Sequence, residues 1–341
     1  MMEQKILGSL AYAAMGDAMG AVTENLSFHQ IREMFNGGVS DFQKPGKTAF
    51  ALGNEAGQVT DDFSQIYLII KEVLGTNDQQ ITTEAVKEAM IKWSNMPVYF
   101  NRFAGPTTRS AIAMYKGESK KMQPLAGAVT VDYASKATNG AAMKISPAGL
   151  FNPGNKDKAL QDAITITRVT HDNHLAISGA GAVAAAVSES LKDGVTFEDI
   201  IDAGMYGAIE GERLGQEISR TVAGASVVER MKLAFDIVDR PGSKEDNLLK
   251  LYQTVGSGLH VSEAVPCAFG IIKANEGNAF QAVVDAVNIG YDTDTIATIV
   301  GAVVGAVSEK NSQFYDMINF IEKANDFKIV EMAGAVASRI N

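Results

Sequence analysis

Cysteine is nearly absent from this 341-residue chain: Cys267 stands alone, so no internal disulfide can form. That fits a reducing compartment. Positive charge is also scarce, with 30 basic against 40 acidic residues and a formal net charge of −10. The nearest approach to a basic block is one pair, Lys120-Lys121. Attraction to a nucleic-acid polymer is therefore excluded as the main activity. The longest stretches without charge, Leu175 to Ser188 and Ile296 to Ser308, fall short of the ~20 residues that span a bilayer. The N-terminus imitates a short signal peptide, with Lys5 before Ile6 to Met15 and the small-residue run Ala11-Tyr12-Ala13. However, Asp17 follows directly and the small-residue pattern runs past any cleavage point, so a soluble cytoplasmic protein without membrane association is expected. Strand signals are missing too. No segment alternates convincingly, and Asn139-Gly140 is followed by Ala-rich sequence rather than a second strand. There is no internal repeat, no low-complexity segment and no interdomain linker.

What the chain does have is helical periodicity. Ile66, Ile69, Ile70, Val73 and Leu74 recur at helix spacing, and so, less regularly, do Ile200, Ile201, Met205, Ile209 and Leu214. The pattern returns in Val261 to Ala274, Ala279 to Ile289 and Ile296 to Val307. Runs such as Ala180 to Ala186 and Gly301 to Ala306 place small residues at i and i+4, which lets helix axes approach closely. Non-helical stretches are expected at Asn36 to Asn54, Lys116 to Pro124, Ser146 to Lys156 and Asp239 to Lys244. These readings predict one all-α domain over residues 1–341.

Two acidic clusters lie far apart in the chain, each just before an apolar run. One is Thr60-Asp61-Asp62, the other Asp292-Thr293-Asp294-Thr295. Taken singly, each reads as a helix start, with Thr60 as N-cap and the acids favoured by the dipole. Taken together, so many short-armed carboxylates and hydroxyls exceed what capping requires. Oxygen-only sets of this kind suit hard divalent cations.

Other candidates carry less. Glu24 follows Gly16-Asp17-Ala18-Met19-Gly20 on an expected loop, either as a surface acid or as a mobile general acid or base. His171-Asp172-Asn173-His174 puts two histidines at i and i+3, on one face if the segment is helical. The segment is expected to line a pocket, with His174 open between that and a structural role. Gly179-Ala180-Gly181-Ala182-Val183-Ala184 matches a dinucleotide fingerprint only formally, since no strand precedes it. Cys267 lies in an apolar helix without a neighbouring histidine, and Ser257 and Ser262 lack a G-x-S-x-G setting.

In order along the chain, Gly16-Asp17-Ala18-Met19-Gly20-Ala21-Val22-Thr23-Glu24, Gly57-Gln58-Val59-Thr60-Asp61-Asp62, Thr138 to Pro147, Thr170-His171 and Gly290-Tyr291-Asp292-Thr293-Asp294-Thr295 resemble the motifs of the ADP-ribosylglycohydrolases. That family includes the ADP-ribosylarginine and ADP-ribosylserine hydrolases and the dinitrogenase reductase-activating glycohydrolase. The resemblance implies a compact, orthogonal multi-helix domain and two divalent cations, Mg²⁺ or Mn²⁺. It implies metal ligands Thr60, Asp61, Asp62, Asp292, Asp294 and Thr295. It implies substrate contacts from Thr138, Asn139, Gly140 and His171, and a catalytic pair in Glu24 and Asp62. The implied reaction is hydrolysis at ribose C1″ of an ADP-ribose-containing substrate, an ADP-ribosylated protein or a small molecule. Three positions depart from the family pattern. Lys144 stands where arginine is usual, which keeps the charge but loses the planar fork. Phe63 and Tyr291 add bulk where Thr and Gly are common. That bulk motivates an alternative substrate, a smaller nucleoside or nucleotide derivative. A further alternative is a non-catalytic ADP-ribose binder on the same fold.

Overall fold

The computed structural model describes residues 2–47, 49–118 and 130–340. The Lys120-Lys121 pair and most of the Lys116–Pro124 stretch lie outside the described residues. Helix makes up 68% of the structure, in seventeen α-helices, and among the described residues there is no strand, so the all-α expectation holds. No helix among the described residues is long and apolar enough to cross a membrane.

A close contact joins the first helix, Met2–Gly20, to a late one, Thr293–Val304. Ile6, Leu7, Leu10 and Met15 are buried along the first helix, yet the seam itself is made by small residues. A Cβ at Gly16 would stand 2.3 Å from the Ala297 carbonyl oxygen, and one at Gly20 would stand 2.4 Å from Asp294 Cα. On the other helix, a Cβ at Gly301 would meet the Tyr12 carbonyl oxygen at 2.2 Å. Backbones this close leave no room for side chains, so glycine is required sterically rather than for its dihedral freedom. A second seam of the same type joins His174–Ser190 to Phe197–Ile218, where Gly181 faces Gly207. The expected small-residue packing is therefore real. The formal dinucleotide fingerprint at Gly179 to Ala184 is part of this buried helix.

Three of the expected helices fall where periodicity placed them: Asp61–Gly75, Val261–Ala274 and Ala279–Val287. Two readings need correction. Ser146–Leu150 is a short helix, because Pro147 sits in its first turn, where a missing N–H costs nothing. His171 and His174 do not share a helix face. The helix Lys156–Thr170 ends with His171 at its C-cap, and a new one starts at His174 after Asn173 accepts the Ala176 N–H at 2.9 Å.

The glycine seam yields a prediction. Gly20→Ala should destabilise the fold by about 1–3 kcal/mol, the usual cost of overpacking. Because the added methyl meets Asp294, it should also weaken divalent-cation binding. Thermal unfolding with and without Mn²⁺ measures both, and an unchanged Mn²⁺-dependent shift would contradict the coupling.

Candidate active site

Each helix start carries its acids for a different local reason. Thr60 is the N-cap of Asp61–Gly75, its hydroxyl accepting the Asp62 N–H. The capping reading of the first cluster is thus correct as far as it goes. It does not account for the second cluster. Asp292 occupies the N-cap position of Thr293–Val304, but its side chain makes no capping bond and accepts instead from the Asn139 amide. Its backbone N–H is held by the Ser257 carbonyl at 3.1 Å.

The two clusters meet. Glu24, Asp61, Asp62, Asp292, Asp294 and Thr295 line one cavity of about 290 Å³, together with Thr138, Asn139, Gly140 and His171. Glu24, Asp292 and Asp294 bring carboxylate oxygens within 4.8 Å of one another. Thr60 stays just outside the lining and donates its hydroxyl to Asp62 Oδ2 at 3.2 Å. Glu24 lies in the turn after the first helix. That turn is latched to the second cluster: the Asn25 N–H donates to the Tyr291 carbonyl at 2.7 Å, and the Tyr291 N–H to the Leu26 carbonyl at 2.8 Å.

His171 forms the wall on one side. Its two ring nitrogens pair with the Thr138 and Thr170 hydroxyls at 2.8 and 2.7 Å. Burial, aided by Lys144 and Lys136, holds its pKa well below the ordinary value, so the ring is neutral. Beyond it opens a larger cavity of about 590 Å³, lined by Tyr133, Lys136, Arg168 and Arg220 among others. The Arg220 guanidinium stacks on Tyr133, 3.7 Å from the ring centroid. His174, by contrast, is structural, its Nδ1 accepting the Val222 N–H at 3.3 Å.

Two departures read from sequence take on a different meaning. Phe63 is fully buried and packs on Phe327 with ring centroids 6.0 Å apart, away from the cavity. Tyr291 also does not line the cavity. It is partly exposed against Gly258 and adopts a left-handed φ of 66° that a glycine would hold without strain. Neither places bulk beside the acids. Lys144 is fully buried and donates to the Gly140 carbonyl, and its charge faces Asp61 and Asp62.

Sequence reading gave Asp17 no role. It is fully buried, and its carboxylate accepts the Thr60 N–H at 2.9 Å and the Phe63 N–H at 2.8 Å. It therefore clamps the helix start that carries Asp61 and Asp62. Its place between Gly16 and Gly20, as the one charged residue in the apolar stretch from Ile6 to Gly20, was the available signal.

The residues present fit divalent cations. Glu24 Oε2 and Asp62 Oδ1 are buried with no hydrogen-bond partner among the described residues. So many buried carboxylates around one ammonium, that of Lys144, call for additional positive charge. Without it, burial raises Glu24 to about 9, with Asp292 and Asp61 adding to the rise. Burial likewise raises Asp61 to about 8 and Asp17 to about 7.

With this geometry in view, relatives are informative. A family model described as ADP-ribosylglycohydrolase matches residues 1–311. The chain belongs to the ADP-ribosylglycohydrolase family. It is 30% identical over 317 residues to "Uncharacterized protein YegU" of Escherichia coli (strain K12), covering 92% of this chain and 90% of that one. It is 24% identical over 327 residues to "ADP-ribosylhydrolase ARH3" of Gallus gallus, covering 88% and 84%. A solved structure titled "ADP-ribosylglycohydrolase-related protein complex" shares the fold with a TM-score of 0.67 at 18% identity, over 100% of this chain and 99% of that one. Membership of this family makes the chain glycosyl-hydrolase-like.

The raised carboxylates set a pH dependence. Their folded pKa values lie above the ordinary range near 4, so in the ion-free protein their contribution is full below about pH 4 and is lost as pH rises through about 7 to 9. Unfolding in EDTA should therefore occur at lower temperature at pH 9 than at pH 6. The rise on adding Mn²⁺ should be larger at pH 9, where fewer protons compete. Equal rises at both pH values would contradict this.

Proposed function

We propose that this member of the ADP-ribosylglycohydrolase family is a metal-dependent hydrolase that cleaves the glycosidic bond at ribose C1″ of an ADP-ribosylated protein side chain or small molecule. The observation that carries the reading is the convergence of the two acidic helix starts on one cavity, with unpartnered oxygens on Glu24 and Asp62. Thr60, Asp61, Asp62, Asp292, Asp294 and Thr295 would hold two cations, Mg²⁺ or Mn²⁺. Bound there, these supply positive charge that polarises ribose oxygens and acidifies water.

The chain's own groups do the rest. Asn139 fixes Asp292 by its amide, and Lys144 fixes the Gly140 carbonyl behind it. Asp17 holds the Asp61-Asp62 turn through two charge-assisted bonds. Cleavage through an oxocarbenium-like state needs one proton delivered to the leaving atom and one taken from water. Glu24 and Asp62, the two buried carboxylates with a free oxygen, carry those protons.

The larger cavity beyond His171 supports a diphosphate-bearing substrate over a plain nucleoside. Lys136, Arg168 and Arg220 suit the phosphates, and Tyr133 offers a face for a base.

Three variants test the reading in an assay of ADP-ribose release with and without Mg²⁺ or Mn²⁺. Asp294→Ala should abolish metal-dependent release, and full activity with metal still bound would contradict the proposal. Glu24→Gln should slow kcat far more than it weakens metal binding. Arg220→Ala should raise KM by about tenfold, the order expected for one lost charge-assisted bond, with kcat little changed.

A further inference from the structure

Two unlike cavities flank His171, one acidic and one basic, and the helix Pro106–Tyr115 lines both. Its first residues, Pro106, Thr107 and Thr108, line the acidic cavity, and Ala111, Met114 and Tyr115 line the basic one. At about 1.5 Å per residue, the two sets are separated by roughly 10 Å along the axis. Arg102 and Phe103 sit just ahead of this helix in the chain, Phe50 packs on Phe103, and all three line only the acidic cavity. They therefore stand at the end remote from the basic cavity.

That remote end is aromatic. Phe50 is 53% exposed, and its ring centroid lies 6.2 Å from that of buried Phe103. The charge at this end is the Arg102 guanidinium, 4.6 Å above the Phe103 ring. Arg102 is fixed by bonds to Asn54 Oδ1 at 2.5 Å and to the Ala51 and Leu52 carbonyls at 3.2 and 2.8 Å. It thus pins the loop that presents Phe50. All three partners are neutral, so its positive charge is not cancelled by them.

We infer that Phe50, Phe103 and Arg102 form the leaving-group subsite, and that it selects a flat, uncharged aromatic leaving group over a guanidinium. The inference rests on the hydrolase reading above. With the diphosphate drawn toward Lys136 and Arg220 and the ribose over the acids, the group on C1″ extends toward Phe50. An aromatic ring stacks there, whereas an arginine side chain would bring its guanidinium against that of Arg102. In the reaction, water adds its oxygen to C1″, the C1″–leaving-atom bond breaks, and the leaving atom takes a proton.

The test compares kcat/KM for release of ADP-ribose from a 4-nitrophenyl ADP-ribose glycoside and from ADP-ribosylarginine, in Mn²⁺. Because nitrophenol leaves more readily, the readout is how variants change the ratio of the two. Phe50→Ala should lower the aryl-to-arginine ratio about tenfold, the lower range for removing a stacking partner. Arg102→Glu should lower it further by raising the arginine-linked rate. Binding of benzamide to the ADP-ribose complex, seen by calorimetry, should be lost in Phe50→Ala, and methylguanidinium should not bind. Release of ADP-ribose with a ratio unmoved by both variants would overturn the subsite and leave the hydrolase reading standing. Failure to release ADP-ribose from any probe would overturn both.

Discussion

Everything at this site depends on how closely two helix backbones approach. The first helix and Thr293–Val304 touch through glycine, near enough that a single added methyl group would collide with a main-chain atom. That contact sets Glu24, in the turn after one helix, beside Asp292 and Asp294, at the start of the other. Bonds across the seam fix the register: Thr293 donates its hydroxyl to the Gly20 carbonyl at 2.9 Å, and Ser9 donates to the Ala302 carbonyl at 2.6 Å. A bulkier seam would separate the carboxylates and leave each as an ordinary helix start.

Bringing so many acids together has an energetic cost, and the fold meets it unevenly. Asp17 is compensated by two backbone N–H groups, and Asp292 by Asn139. Glu24 and Asp62 each keep a buried oxygen with no partner among the described residues. Buried unpaired polar atoms are costly, so their presence marks where the molecule expects something else to bind. That local cost falls on the two carboxylates to which the proposed reaction assigns its protons.

Much of this was legible in the sequence. The helix positions followed from periodicity, and the small-residue runs at Ala180 to Ala186 and Gly301 to Ala306 correctly signalled close packing. The acidic clusters were visible because short carboxylates beside hydroxyls are rare at that density. Their convergence was carried by family resemblance, because local pattern does not encode which distant helices touch. Asp17 was hidden because its role lies in accepting two main-chain N–H groups from a segment more than forty residues away. Phe63 and Tyr291 misled for a related reason. Adjacency in sequence to the acids does not fix side-chain direction, and a helix or a left-handed turn sends the next residue elsewhere. The histidine pair was misread because Asn173 starts a new helix between them.

The seam also has a consequence in time. Asp17, Glu24 and the Asp61-Asp62 pair leave the ribosome more than 200 residues ahead of Asp292 to Thr295. At ordinary rates of synthesis, the first helix waits on the order of ten seconds to a minute for its partner. Throughout that interval its buried-to-be face, Ile6 to Met15, has no mate, and Asp17 and Glu24 have no acidic neighbours from the second cluster to repel them. A nascent chain therefore carries an aggregation-prone helix and no assembled carboxylate centre. Both conditions end together, when the last glycine-rich helix closes on the first.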